Sequence, residues 1–136
     1  VGVFGHSFGG TTGIVASFKD SRIDACINLD GWLEPVESKI IQQGLNIPFL
    51  YIGQEKWKNT PLNDMKLDSL IDSSNGRKEL LPGTKHMDFS DTPQFSSAST
   101  KFGIAGKMDM DTLREKINAE ILSFFDLYVK GVKYSF

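Results

Sequence analysis

A serine, a histidine and a carboxylate are the residues of this chain whose types and positions suit a shared chemistry, the attack of an activated alcohol on an acyl carbon. Gly5-His6-Ser7-Phe8-Gly9-Gly10 holds a GxSxG pentad between an apolar run, Val1-Gly2-Val3-Phe4, and a helix-permissive stretch, Thr11 to Phe18. A pentad of this kind at a strand-to-helix junction is a nucleophile elbow, so Ser7 is the candidate nucleophile and the backbone N–H of Phe8 a candidate oxyanion donor. The turn holds its serine in a strained conformation. Glycine on both sides, at positions 5 and 9, is expected to remove the collisions that side chains would cause.

A neutral serine hydroxyl is a slow nucleophile. A base must take its proton, and a carboxylate must orient the base. His86 is the one histidine after the pentad. It falls in the loop Pro82-Gly83-Thr84-Lys85-His86, beyond the last predicted strand, where a base is required if the chain order is serine, acid, histidine. His6 adjoins the nucleophile too closely to serve it and reads as a packing or hydrogen-bonding residue beneath the elbow. Two strand ends compete for the acid. Asp30 stands in Asn28-Leu29-Asp30-Gly31-Trp32, where Gly31 permits a tight turn. Glu55 stands in Gly53-Gln54-Glu55, flanked by Lys56 and Lys58, which equally suits a solvated, charge-paired loop. Position alone does not choose between them.

The elements that would carry these residues alternate. Ile23 to Leu29 reads as a strand, Glu34 to Gln43 as a short helix, and Ile47 to Gly53 as a continuous apolar strand of the parallel, two-sided kind with Pro48 near its start. Pro61 to Ser73 is predicted as a helix with Leu62, Met65, Leu67, Leu70 and Ile71 on its apolar face, closed by Ser74-Asn75-Gly76. Arg77 to Leu81 is a short strand. Met87 to Met110 has little periodicity and is expected to be a loop with one short helix. Thr112 and Glu115 read as a capping box for a last helix. Its apolar residues Leu113, Ile117, Ile121, Phe124, Phe125 and Tyr128 face the sheet, and Lys130-Gly131 ends it. The alternation implies an α/β fold with a parallel sheet, flanked by helices, whose strand ends lie on one edge. The chain opens inside a strand that is normally central. It is therefore expected to be one partial domain over residues 1–136, the carboxyl-terminal part of a longer hydrolase and inactive alone, with any targeting sequence upstream of Val1.

Composition narrows the function classes. The chain has 136 residues, 40% of them hydrophobic, a formal charge of −2 and a pI near 5.6. That balance gives no electrostatic case for nucleic acid or an anionic membrane. Cys26, the single cysteine, excludes an internal disulfide and reads as a small buried strand residue. Two histidines without a ligand pattern predict no metal and no cofactor. No apolar run reaches the roughly 18 residues needed to span a bilayer. Trp32 and Phe89, each next to a candidate site residue, are possible pocket walls and equally suit core packing. Asp91 reads as a turn or cap residue, with bracing of the histidine loop as its other role.

Three blocks, taken together, resemble one family: Gly5-His6-Ser7-Phe8-Gly9-Gly10, Leu29-Asp30-Gly31-Trp32, and Gly83-Thr84-Lys85-His86-Met87-Asp88-Phe89-Ser90-Asp91. They resemble the plasma and intracellular type II platelet-activating factor acetylhydrolases of the α/β-hydrolase superfamily. The order and spacing match, with 23 residues from Ser7 to Asp30 and 56 from Asp30 to His86. In that family the acid follows the strand directly after the elbow, in an Asp-x-Trp sequence, so the resemblance implies Ser7, Asp30 and His86 as nucleophile, acid and base. It also implies calcium-independent, phospholipase A2-type hydrolysis of short or oxidised acyl chains from phospholipids, with association to a lipid surface unseen in this chain. The missing amino-terminal half would carry the second oxyanion donor and most of the acyl pocket. Two other readings stand beside it: a dienelactone hydrolase-like or polyester-cleaving esterase with Glu55 as acid, and a hydrolase fold without catalysis that serves as a binding module.

Overall fold

The computed structural model describes residues 1–55, 57, 60–95 and 102–132. Four parallel strands, β1 (Gly2–His6), β2 (Ala25–Leu29), β3 (Phe49–Gln54) and β4 (Arg77–Leu81), lie side by side in chain order. Between and after them run α1 (Phe8–Lys19), α2 (Ser38–Gln43), α3 (Pro61–Ser74) and α4 (Met110–Tyr128), with 3-10 turns at His86–Phe89 and Thr92–Phe95. The α/β class and parallel sheet expected from the alternation are what the chain forms.

Side chains alternate across the two inner strands, and both faces are covered. Cys26, Phe49 and Tyr51 pack with Ile14 of α1, Ile40 and Ile41 of α2, and Leu67 and Leu70 of α3. Ala25, Ile27, Leu29, Leu50 and Ile52 pack on the opposite face with Leu113, Ile117 and Phe124 of α4. Burial pushes the Cys26 thiol up to about 11, so it stays a neutral core group. Phe125 lies against the backbone of Gly2, where a Cβ would stand 2.5 Å from its ring, and beside the ring of Phe4. The adjacent phenylalanines thus serve packing.

Several elements differ from the sequence expectations for identifiable reasons. The helix expected from Glu34 begins only at Ser38, because the carbonyls of Glu34 and Val36 accept from Lys66 Nζ at 2.5 and 2.7 Å instead of from helical N–H groups. The buried face of α3 is Asn63, Leu67 and Leu70, while Leu62 and Met65 are exposed. Asn63 earns its buried place by accepting the Leu33 N–H at 2.6 Å. The expected capping box on α4 is replaced by Asp109, whose carboxylate accepts from the N–H and hydroxyl of Thr112, both at 2.9 Å. A carboxylate is the stronger acceptor and also complements the helix dipole. Asn75, in the left-handed region at φ 49, closes α3 as expected, and the Gly76 N–H returns to Ile71 O at 2.8 Å.

Candidate active site

Parallel strands bring three turns to one edge of the sheet. Ser7 is the turn between β1 and α1, held at φ 56, ψ −124. Its N–H donates to Leu29 O at 3.0 Å, and its own carbonyl accepts from Thr11 at 3.2 Å. A serine preceding a helix ordinarily turns its hydroxyl back to the first-turn N–H groups. Ser7 makes no such bond, and its Oγ lies 2.9 Å from Nε2 of His86. The turn is tight because a Cβ on Gly5 would stand 2.6 Å from the Gly9 carbonyl carbon, and one on Gly10 would stand 2.7 Å from Gly5 O and 2.8 Å from the Asn28 side chain. A Cβ on Gly9 would meet nothing within 4 Å in the described chain. The close approach is therefore between Gly5 and the backbone of Gly9 and Gly10, and it is Gly5 and Gly10 that must lack a side chain, which corrects the expectation for Gly9. Phe8 opens α1 with its side chain 66% exposed, and no acidic residue stands in the helix's first turn. The positive end of the helix dipole is left uncompensated beside the serine.

Asp30 follows β2, fully buried, at φ 47. Its N–H donates to Ile52 O at 2.7 Å, and its carboxylate accepts from four donors. Oδ1 takes the Tyr51 hydroxyl at 3.1 Å and the Gln54 N–H at 2.9 Å; Oδ2 takes Gln54 Nε2 and His86 Nδ1, each at 2.8 Å. Burial, then the charge of Asp30, pushes the Tyr51 phenol up, so it remains a protonated donor. A Cβ on Gly53 would stand 2.6 Å from Asp30 Oδ1, so only glycine leaves room for the carboxylate there.

His86 starts the first 3-10 turn. An ionised Asp30 can only accept, so Nδ1 carries the imidazole proton and Nε2 presents its lone pair to Ser7. The ring lies 4.6 Å from that of His6 and 4.9 Å from that of Trp57, centroid to centroid. Trp57 Nε1 in turn donates to Tyr51 Oη at 3.2 Å. His6 Nε2 donates to the carbonyl of His86 at 2.9 Å, and burial holds this imidazole below its ordinary 6.5, in its neutral form. Asp88, buried, accepts the N–H groups of Lys85 and Gly106, both at 2.8 Å. Lys107 N–H donates to Gly83 O at 2.8 Å, so residues 103–107 run as a strap along the histidine loop.

Ser7, His86 and Asp30 are thus brought together. Glu55 is exposed and lines a recess with Lys85 and Lys107. Its flanking residues Lys56 and Lys58 lie outside the described residues. Trp32 is 42% exposed, and its carbonyl accepts the Thr11 hydroxyl at 2.5 Å. Phe89 is buried in the α4 core and is a packing residue there. Sequence reasoning missed Tyr51, Gln54 and Asp88. A lone phenol within an apolar strand was the legible signal for the first, since a buried hydroxyl needs a partner. The second had none. The third was signalled by an acid three residues after Lys85, where it can bond back to the Lys85 backbone, and it ties the histidine loop to Gly106.

A parallel sheet with helices on both faces and a strained serine turn at its carboxyl edge defines an α/β hydrolase. Among these, the chain belongs to the family described as platelet-activating factor acetylhydrolase, isoform II, which matches residues 1–133. Similar curated proteins include the platelet-activating factor acetylhydrolases of Gallus gallus, 29% identical, and Cavia porcellus, 31% identical. A third, from Arthroderma benhamiae, is named "Probable 1-alkyl-2-acetylglycerophosphocholine esterase" and is 32% identical. Each similarity covers 95% of this chain and 31%, 30% and 35% of the relative, respectively. The chain therefore spans about a third of the length of these relatives. Among the described residues, no helix is long and apolar enough to cross a membrane.

Proposed function

We propose that this chain is the carboxyl-terminal part of a serine esterase that removes short or oxidised acyl chains from phospholipids without calcium. The observation that carries the reading is the hydrogen-bond chain from Ser7 Oγ through His86 to Asp30, with links of 2.9 and 2.8 Å. Ser7 Oγ attacks the ester carbonyl carbon as His86 Nε2 takes its proton, and the buried Asp30 carboxylate stabilises the imidazolium. The carbonyl oxygen becomes an oxyanion, towards which the Phe8 N–H and the dipole of α1 supply positive potential. His86 then returns the proton to the leaving lysophospholipid, and water repeats the sequence on the acyl-serine. The names of the relatives support an acetyl ester of a phospholipid as substrate, and the wider range of short and oxidised chains is what the family resemblance implies. The family membership and the Asp30 contact both favour this reading over a Glu55-dependent esterase.

In this reading the second oxyanion donor and the acyl pocket lie in the part of the relatives' length that this chain does not span. The chain alone is then inactive, because one missing donor costs on the order of 100- to 1,000-fold in turnover. The test is to treat the complete protein carrying this chain with a fluorophosphonate and, separately, with a 2-acetyl phospholipid in excess chelator. Labelling at Ser7 and acetate release, both lost in Ser7→Ala, are expected. An unlabelled, well-folded protein would make it a binding module instead.

A further inference from the structure

We propose that Gln54 is a positioning residue that clamps the acid of the relay, an inference that rests on the serine-esterase reading above. Gln54 is the last residue of β3, and it bonds both oxygens of Asp30: its backbone N–H reaches Oδ1 at 2.9 Å and its side-chain Nε2 reaches Oδ2 at 2.8 Å. Two donors from one residue on two oxygens fix the rotation of the carboxyl plane as well as its position. Oδ2 is the oxygen that also holds His86 Nδ1, so the angle at which it faces the imidazole is set by the Gln54 amide. Tyr51 supplies the remaining donor and Gly53 leaves the space, so β3 as a whole is the cradle of an acid that belongs to β2.

A carboxyl group in place of this amide would share a proton with Oδ2 and still donate to it, so the informative change is one that removes the side-chain donor and keeps the backbone N–H.

The experiment measures kcat and KM separately for acetate release by the complete protein and its Gln54→Leu and Gln54→His variants. Gln54→Leu keeps the backbone donor and is expected to lower kcat about tenfold with KM unchanged, leaving labelling of Ser7 slower but present. Gln54→His, which retains a side-chain donor, is expected to recover part of the loss. Folded Gln54→Leu with the parent kcat would overturn the clamp while leaving the esterase reading intact. Absence of activity and labelling in the unsubstituted protein would instead overturn the esterase reading.

Discussion

Asp30→Asn changes one atom and tests the relay directly. The four donors around the carboxylate are matched to an acceptor-only group: Tyr51 Oη and Gln54 N–H at Oδ1, Gln54 Nε2 and His86 Nδ1 at Oδ2. An asparagine keeps its carbonyl for the first pair and must turn its NH2 towards the second. Two donors would then face a donor. His86 can relieve one of these conflicts by moving its proton to Nε2, which leaves a single unmet buried donor and a cost of about 1–3 kcal/mol in stability. The same move removes the lone pair that must accept the Ser7 proton. A wrong-tautomer histidine in such a relay costs about 10,000-fold in kcat, or roughly 5 kcal/mol at the transition state. Activity therefore falls far more than stability does. Acetate-release kinetics and urea unfolding on the complete protein measure the two, with Glu55→Gln as a control that should leave both near the parent values. If Asp30→Asn retains activity within tenfold of the parent while Glu55→Gln abolishes it, the assignment of the acid is wrong.

Two further outcomes follow from burial and contact distances. Because burial depresses the pKa of His6 below 6.5, its stabilising contribution is complete above that value and is lost as pH falls through the lower folded value. Thermal unfolding between about pH 7.5 and 5 should show a loss that His6→Asn flattens, and equal slopes would refute it. On α1, two glycine-to-alanine changes should have opposite signs. Gly10→Ala meets Gly5 O at 2.7 Å and should cost about 1–3 kcal/mol by urea unfolding, while Gly13→Ala, nearest Cys26 Sγ at 3.7 Å, should gain about 0.5–1 kcal/mol.

The strands were legible because a parallel, two-sided strand is a run of apolar residues bounded by turn chemistry, and Phe49 to Gly53 or Ala25 to Leu29 can be little else. Ser7 stood out as the serine of the one GxSxG pentad, and His86 as the one histidine after it. What periodicity could not give was any contact whose partner is distant in the chain. The shortened α2 depends on Lys66, thirty residues downstream of Val36. The buried Asn63 depends on Leu33. The choice of Asp30 over Glu55 depends on which strand end the imidazole reaches, a question of three dimensions that residue spacing left balanced until the three-block resemblance weighed in.

The same distance-blindness explains why the residues that position the site were the ones missed. The elbow, the turn after β2 and the histidine loop are each strained or tight on their own, and each is held by an atom of another. Asn28 fills the space under both Gly10 and Gly31 and accepts the Gly31 N–H at 2.6 Å, so the serine turn and the acid turn share one buried side chain. His6, from the strand of the serine, holds the carbonyl of His86, and Asp88 ties the other end of that loop to Gly106. Positive-φ residues at Ser7 and Asp30 cost free energy that local sequence does not return. They persist because neighbouring turns over-determine them. Alteration of Asn28, which touches no reacting atom, is for that reason expected to disturb the serine and the acid together, and a change at either turn alone should be felt at the other.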